Sequence, residues 1–113
     1  MTGEDEIYEN EFKKQLKIFG LENEGIEFQF KYICGEVERD GFNPTGIREL
    51  WVDITIGAPS ASSFRRTVRH ELKHKQKELR GKKGKWYYDE IEATLAEYFD
   101  IFASDVPFWR RDR

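Results

Sequence analysis

Val68-Arg69-His70-Glu71-Leu72-Lys73-His74 contains both histidines of this 113-residue chain, four positions apart. On a helix that spacing puts two side chains on one face, a turn apart, so both imidazoles can reach a single ion. Glu71 then stands one step around the helix, where it can contact a water on that ion without being a ligand itself. The three side chains can act together only if this stretch is helical, and the rest of the chain has to support that helix.

Ser60, Ser62 and Ser63 offer N-caps for a helix running from about Phe64 to Leu79, whose apolar stripe is Phe64, Val68, Leu72 and Leu79. Gly81 and Gly84 stop it. Upstream, Leu50, Val52, Ile54 and Ile56 alternate with Trp51, Asp53 and Thr55, the pattern of a strand that ends at Gly57-Ala58-Pro59. Gly35 to Gly46 reads as a turn or loop with a short strand near Val37. Before it, Ile26, Phe28, Phe30, Tyr32 and Cys34 alternate as a strand with one buried face. Ile7, Phe12, Leu16 and Phe19 recur at helical spacing from about Asp5 to Phe19, and Gly20 ends that helix.

Downstream, a last helix is expected from about Tyr88 to Ala103, opening on Asp89 and Glu90 as the helix dipole favours, with Ile91, Leu95, Tyr98, Phe99 and Phe102 as its apolar face. Val106-Pro107-Phe108-Trp109 is expected to close the core or a surface groove. The order is helix, strands, helix, helix: an α+β layout in which a small antiparallel or mixed sheet packs on the motif helix. Residues 1–113 form one expected domain, since this length supports a single core.

Apolar residues make up 38% and charged residues 36%, so the core must lean on nine Phe, five Tyr and three Trp. Cys34 is the single cysteine, which excludes an internal disulfide and a cysteine-rich zinc finger and points to a reducing compartment. Met1-Thr2-Gly3-Glu4-Asp5-Glu6 is acidic where a secretory signal would be basic and then apolar, and no apolar run reaches membrane-spanning length. A soluble, cytoplasmic protein without a membrane partner is expected. The net charge of −3 is unevenly spread, with ten Lys or Arg against two acids between Arg65 and Lys85. That cationic strip suits either internal pairing with the acidic remainder, the favoured expectation, or contact with nucleic acid or an acidic protein.

Two imidazoles leave a catalytic zinc ion short of its usual three protein ligands plus water. With no third histidine and one cysteine, the missing ligand should be a carboxylate, and Glu90, Glu92 and Glu97 of the last helix are the candidates. The His-Glu-x-x-His segment Arg65 to His74 resembles the active helix of gluzincin-type zinc metallopeptidases, including the compact ImmA/IrrE-like ones. Leu50–Ile56 resembles the strand they place before it, and Glu90-Ile91-Glu92-Ala93 their second signature. The resemblance covers about Leu50 to Phe102.

The resemblance implies a minimal zincin-like fold with Zn²⁺ on His70, His74 and a glutamate, and Glu71 as general base in the hydrolysis of a peptide or protein substrate. As a linear string the family signature selects Glu90, because Ala93 follows three residues later. The apolar positions expected behind the ligand in such a helix fit Glu92 better: Leu95, Tyr98, Phe99 and Phe102 lie three, six, seven and ten residues beyond it. Glu92 is therefore the expected third ligand, with Glu90 as the alternative and Glu97 or Asp89 behind both. Lys73 stands where many members have glycine. The position four after either candidate is Thr94 or Ala96, so orientation of His70 falls to Asp53 or a backbone carbonyl. The Leu50–Ile56 strand is the expected edge for pairing with an extended peptide. Tyr87, Tyr88 and Tyr98 are oxyanion candidates of which none is singled out.

Overall fold

The computed structural model describes residues 3–31, 40–53 and 60–104. Among them are three α-helices, α1 (Gly3–Ile18), α2 (Ala61–Leu79) and α3 (Trp86–Ala96), and three strands, β1 (Glu27–Lys31), β2 (Gly41–Phe42) and β3 (Glu49–Asp53). A 3-10 turn, Asp100–Phe102, follows α3. The class is α+β, and the sheet is mixed: β3 lies in the middle, parallel to β1 and antiparallel to β2. Ile54, Thr55 and Ile56, the strand near Val37, Tyr32, Cys34 and the Val106–Trp109 segment lie outside the described residues. No helix among the described residues is long and apolar enough to cross a membrane.

The motif helix forms as its sequence dictates. Ser60 takes extended backbone angles and its hydroxyl accepts a hydrogen bond from the Ser63 amide, satisfying one of the helix's unpaired N-terminal donors. Gly81 supplies a φ of +66° just past the C-terminus, where a side chain would be strained. Phe64, Val68 and Leu72 are fully buried and meet Leu50 and Val52 of β3 in one cluster. Phe12, Leu16 and Phe19 of the first helical segment close that cluster from the other side, while Ile7, expected among them, points outward. Phe28 and Phe30 of β1 pack as tilted and edge-on rings around Phe64 and Tyr8. Those contacts fix α2 flat on the sheet.

Polar side chains of α2 complete the assembly. Arg69 is buried, donating to the Ala96 carbonyl at 2.6 Å and to Gln15 at 3.0 Å, so that it joins α1, α2 and the end of α3. Its other nitrogen forms an ion pair with Asp100 at 2.8 Å. Lys73, at the position where the resemblance suggests glycine, folds away to donate to Gln76 and to the Ser104 carbonyl, each at 2.9 Å. Lys75 has no exposed surface, and donates to the Pro44 and Ile47 carbonyls at 2.8 and 2.6 Å. Glu78 beside it accepts from the Gly46 amide and from Asn43. The loop that joins β2 to β3 is thus held to α2 by buried charge.

Two expectations need correction. β3 is the central strand of the described sheet, not an edge, and β1 and β2 flank it. The last helix is shorter and turned differently from the expected Tyr88–Ala103 segment. It ends at Ala96, and Phe99 takes extended angles before the 3-10 turn. The residues that α3 buries are Asp89, Ala93 and Ala96. Ile91, Tyr98 and Phe99, expected to be core, are 55%, 63% and 53% exposed. Small alanines allow α3 to lie close against α2, and that close approach outweighs the larger apolar side chains on its other faces.

Candidate metal centre

α2 and α3, joined by the turn at Gly81 and the lysine-rich residues after it, lie side by side, and their facing flanks carry the site. His70 and His74 are partly buried, with ring centroids 5.1 Å apart. The Glu90 carboxylate spans them: one oxygen lies 2.8 Å from His70 Nε2 and the other 3.0 Å from His74 Nε2. One ligand atom from each of His70, His74 and Glu90 falls within 4.8 Å of the others, so this group can hold a metal ion. Two imidazole nitrogens and one carboxylate oxygen form a donor set suited to a divalent first-row metal.

Glu92 is not part of this group. It lies against Lys77 at 3.0 Å, and Asp89 meets the same ammonium at 3.0 Å while accepting from the Gly84 amide. Glu90, the alternative, is the residue that meets the imidazoles. The difference follows from the phase of α3: with Ala93 and Ala96 rather than Leu95 and Phe99 facing inward, Glu90 and Glu92 turn to opposite flanks.

Glu97, a lower-ranked candidate ligand in the sequence, takes the outer side of His70, with its oxygen 2.8 Å from Nδ1. The sequence suggests Asp53 or a backbone carbonyl for orienting this ring, and Glu97 is the side chain found there. The usable signal was the seven-residue interval between Glu90 and Glu97, two helical turns, which returns a side chain to the same face. The structural roles of Arg69, Lys75 and Gln76 are not legible in the sequence either, because hydrogen bonding to backbone carbonyls leaves no periodic trace.

Electrostatics separate the two histidines. Burial alone would lower the His70 pKa, but the bond to Glu97 and the negative charge of Glu71, Glu90 and Glu97 outweigh it and raise the value to about 9. His70 is therefore an imidazolium at neutral pH, donating from Nε2 to Glu90 and from Nδ1 to Glu97. His74 is shifted down, chiefly by burial and then by the charge on His70, with Glu90 opposing. It stays neutral and donates to Glu90 from Nε2. In this arrangement protons occupy the two nitrogens that a cation would need.

A cleft of about 750 Å³ opens over these residues. Its floor is α2, with Thr67, His70, Glu71 and His74; one wall is β2 and its loop, including Phe42 and Asn43, and the other is α3 with Trp86, Glu90 and Glu97. Glu71 is largely buried at the base, beside His70. Gly41 makes that closeness possible: a Cβ there would lie 2.8 Å from Thr67 Cγ2, 3.0 Å from the Trp51 carbonyl and 3.1 Å from Glu71 Cγ. Tyr98 stands outside the cleft, its ring 6.0 Å from the Arg66 guanidinium. Tyr87 and Tyr88 pack against each other as tilted rings with centroids 4.5 Å apart, also outside it. Compared with known proteins, the chain matches no family model, no curated protein and no solved structure.

Proposed function

We propose that this chain is a zinc-dependent metallopeptidase of the gluzincin type with a minimal zincin-like fold, in which His70, His74 and Glu90 hold the ion. The observation that carries the reading is the Glu90 carboxylate spanning both Nε2 atoms at 2.8 and 3.0 Å, at the base of an open cleft. The donor chemistry fits zinc. When bound, zinc would supply a Lewis acid that polarises a peptide carbonyl and acidifies water. Glu71 accepts the proton of the attacking water and returns it to the departing amine nitrogen, so the amide C–N bond breaks with no net proton change at the glutamate. Glu97 holds His70 by Nδ1 and so leaves Nε2 turned inward. Phe42 and Asn43 on the wall formed by β2 lie along the path of an extended substrate.

A second reading, a zinc-stabilised module that contacts nucleic acid or an acidic protein through the basic strip, is less well supported. Arg69, Lys73 and Lys75 are buried in internal hydrogen bonds, and Lys77 pairs with Asp89 and Glu92. Those four of the ten cations cannot line a continuous phosphate-binding surface.

The deciding experiment is metal analysis together with peptide hydrolysis by the purified chain and its Glu71→Gln variant. Stoichiometric zinc in both, with turnover confined to the parent, supports the proposal. Absence of stoichiometric zinc, or equal turnover in the variant, overturns it.

A further inference from the structure

Beside the cleft lies a second hollow of about 390 Å³, between α1, α2 and the residues that follow α3. Its lining carries four cations, Lys14, Arg65, Arg66 and Arg69, and two acids, Glu97 and Asp100. Both acids are already committed: Glu97 holds His70, and Asp100 meets the buried Arg69. Arg65 reaches Glu11 at 3.9 Å, a loose pair. Lys14 and Arg66 are exposed, and no carboxylate among the described residues pairs with either. The first turn of α2 holds no acid, so the positive end of the helix dipole adds to the same side. The two hollows adjoin, because Arg66 and Glu97 line both.

We infer that this basic hollow prolongs the cleft and holds an acidic segment of the substrate, with Arg66 taking the first carboxylate and Lys14 and Arg65 those beyond it. This occupant rests on the peptidase reading, which supplies the peptide in the cleft. Arg66 stands one turn before His70 and two before His74, on the same face of α2. From the middle of the histidine pair back to Arg66 is about six residues of helix, or about 9 Å, which about three residues of extended chain would span. The selected substrate therefore carries Asp or Glu starting about three residues to one side of the bond that is cut. A carboxylate suits Arg66, whose planar guanidinium can donate two parallel hydrogen bonds to it. Glu97 and Asp100 stand among the cations, so an evenly charged phosphate backbone would pass over both, whereas carboxylates on a peptide fall only where its sequence puts them.

Fluorescence anisotropy on the chain stripped of metal by a chelator tests it, since neither zinc nor turnover enters the measurement. The probes are two labelled peptides alike except that one carries a Glu-Glu-Glu run where the other has Gln-Gln-Gln. At low ionic strength the Glu peptide should bind about tenfold more tightly, and added salt should narrow the gap. Arg66→Glu combined with Lys14→Glu should erase the preference with far-UV circular dichroism unchanged, because both side chains are exposed. Lys85→Glu, at an exposed lysine that lines neither hollow, should leave the preference in place. Equal binding of the two peptides overturns the inference, as does a preference that survives the double substitution. So does a single-stranded oligonucleotide that binds as tightly as the Glu peptide and loses as much in the double variant. Selective binding without cleavage by the zinc-loaded parent would keep the acidic subsite and remove the peptidase proposal; cleavage of both peptides with equal kcat/KM would do the reverse.

Discussion

His70 donates from Nδ1 to Glu97 at 2.8 Å, while its Nε2 faces Glu90 at the same distance. A single ring is thereby held between two carboxylates seven residues apart on the same side of α3 and its C-terminal turn. One carboxylate is placed to share an ion with the ring, and the other fixes which nitrogen is presented to it.

Glu97→Ala should consequently weaken metal binding without removing a ligand. Losing such an orienting carboxylate reduces metal affinity by roughly 10- to 100-fold. Titration against a chromophoric chelator would measure it. Glu97→Gln, whose amide oxygen can still accept from Nδ1, should fall between the parent and Glu97→Ala; equal affinities in all three would remove the orienting role.

Glu90→Ala and Glu92→Ala should part company in metal content. Removing Glu90 deletes one of the three proposed donors and should leave the purified chain substoichiometric. Glu92 is an ion-pair partner of Lys77 with its side chain 41% exposed, so its loss should leave metal content unchanged and cost under about 1 kcal/mol in urea unfolding. Inductively coupled plasma mass spectrometry on the two variants, prepared side by side, decides which carboxylate is the ligand.

That choice marks the limit of what periodicity revealed. The helix α2 was legible because its spacing, its Ser60 cap and its terminal Gly81 agree with one another. In α3 they conflict: the large apolar side chains Ile91, Tyr98 and Phe99 outline a face that is solvent-exposed, and the contact with α2 is made by Ala93 and Ala96. Alanine contributes little to a hydrophobic pattern yet permits close helix packing, so the phase inferred from bulk was wrong and Glu92 was placed where Glu90 stands. The lysines of α2 mislead in the opposite sense. Lys73 and Lys75 resemble a solvated face in sequence, and the backbone carbonyls of Pro44, Ile47 and Ser104, with Gln76 and Glu78, make their burial tolerable.

Metal affinity should rise with pH up to about 9. His70 is raised to that value by Glu97, Glu71 and Glu90 against the opposing effect of burial, so below it an incoming ion must displace one proton from this ring. His74, lowered mainly by burial, is already neutral near pH 7 and adds no net proton. Affinity should thus change about tenfold per pH unit below 9 and level off above it. The metal-free fold has the opposite dependence. A histidine whose folded pKa exceeds its unfolded value contributes its full stabilisation below about 6.5, and that contribution is lost as pH rises through 9. Melting of the metal-free chain from pH 6.5 to 9 should show a falling midpoint, and proton release on metal addition, measured in buffers of different ionisation enthalpy, should be close to one per ion at pH 7.

Lys75→Met should destabilise the chain by about 3 kcal/mol, because it leaves the Pro44 and Ile47 carbonyls without their buried donor and Glu78 without its cation. Burial lowers the Lys75 pKa, and Glu78 opposes it, so part of the cost of holding the charge inside is offset by that carboxylate. Urea unfolding followed by circular dichroism measures the loss; a change below about 0.5 kcal/mol would mean that the loop from Asn43 to Ile47 is held by other contacts.

Gly41→Ala tests the close approach of β2 to α2 beside Glu71. The added methyl would lie 2.8 Å from Thr67 Cγ2 and 3.0 Å from the Trp51 carbonyl, one a side chain that can rotate and the other backbone that cannot. Overpacking of this kind costs about 1–3 kcal/mol. The relief available is for β2 to move outward from β3, and because Glu71 Cγ lies 3.1 Å from the same point, the base of the cleft is disturbed with it. On the proposed function, turnover should therefore fall more steeply than stability, while metal content, for which the proposed ligands lie on α2 and α3, should stay at the parental level. Loss of metal in Gly41→Ala would instead show that the outer strand supports the imidazoles as well as Glu71, the proposed general base.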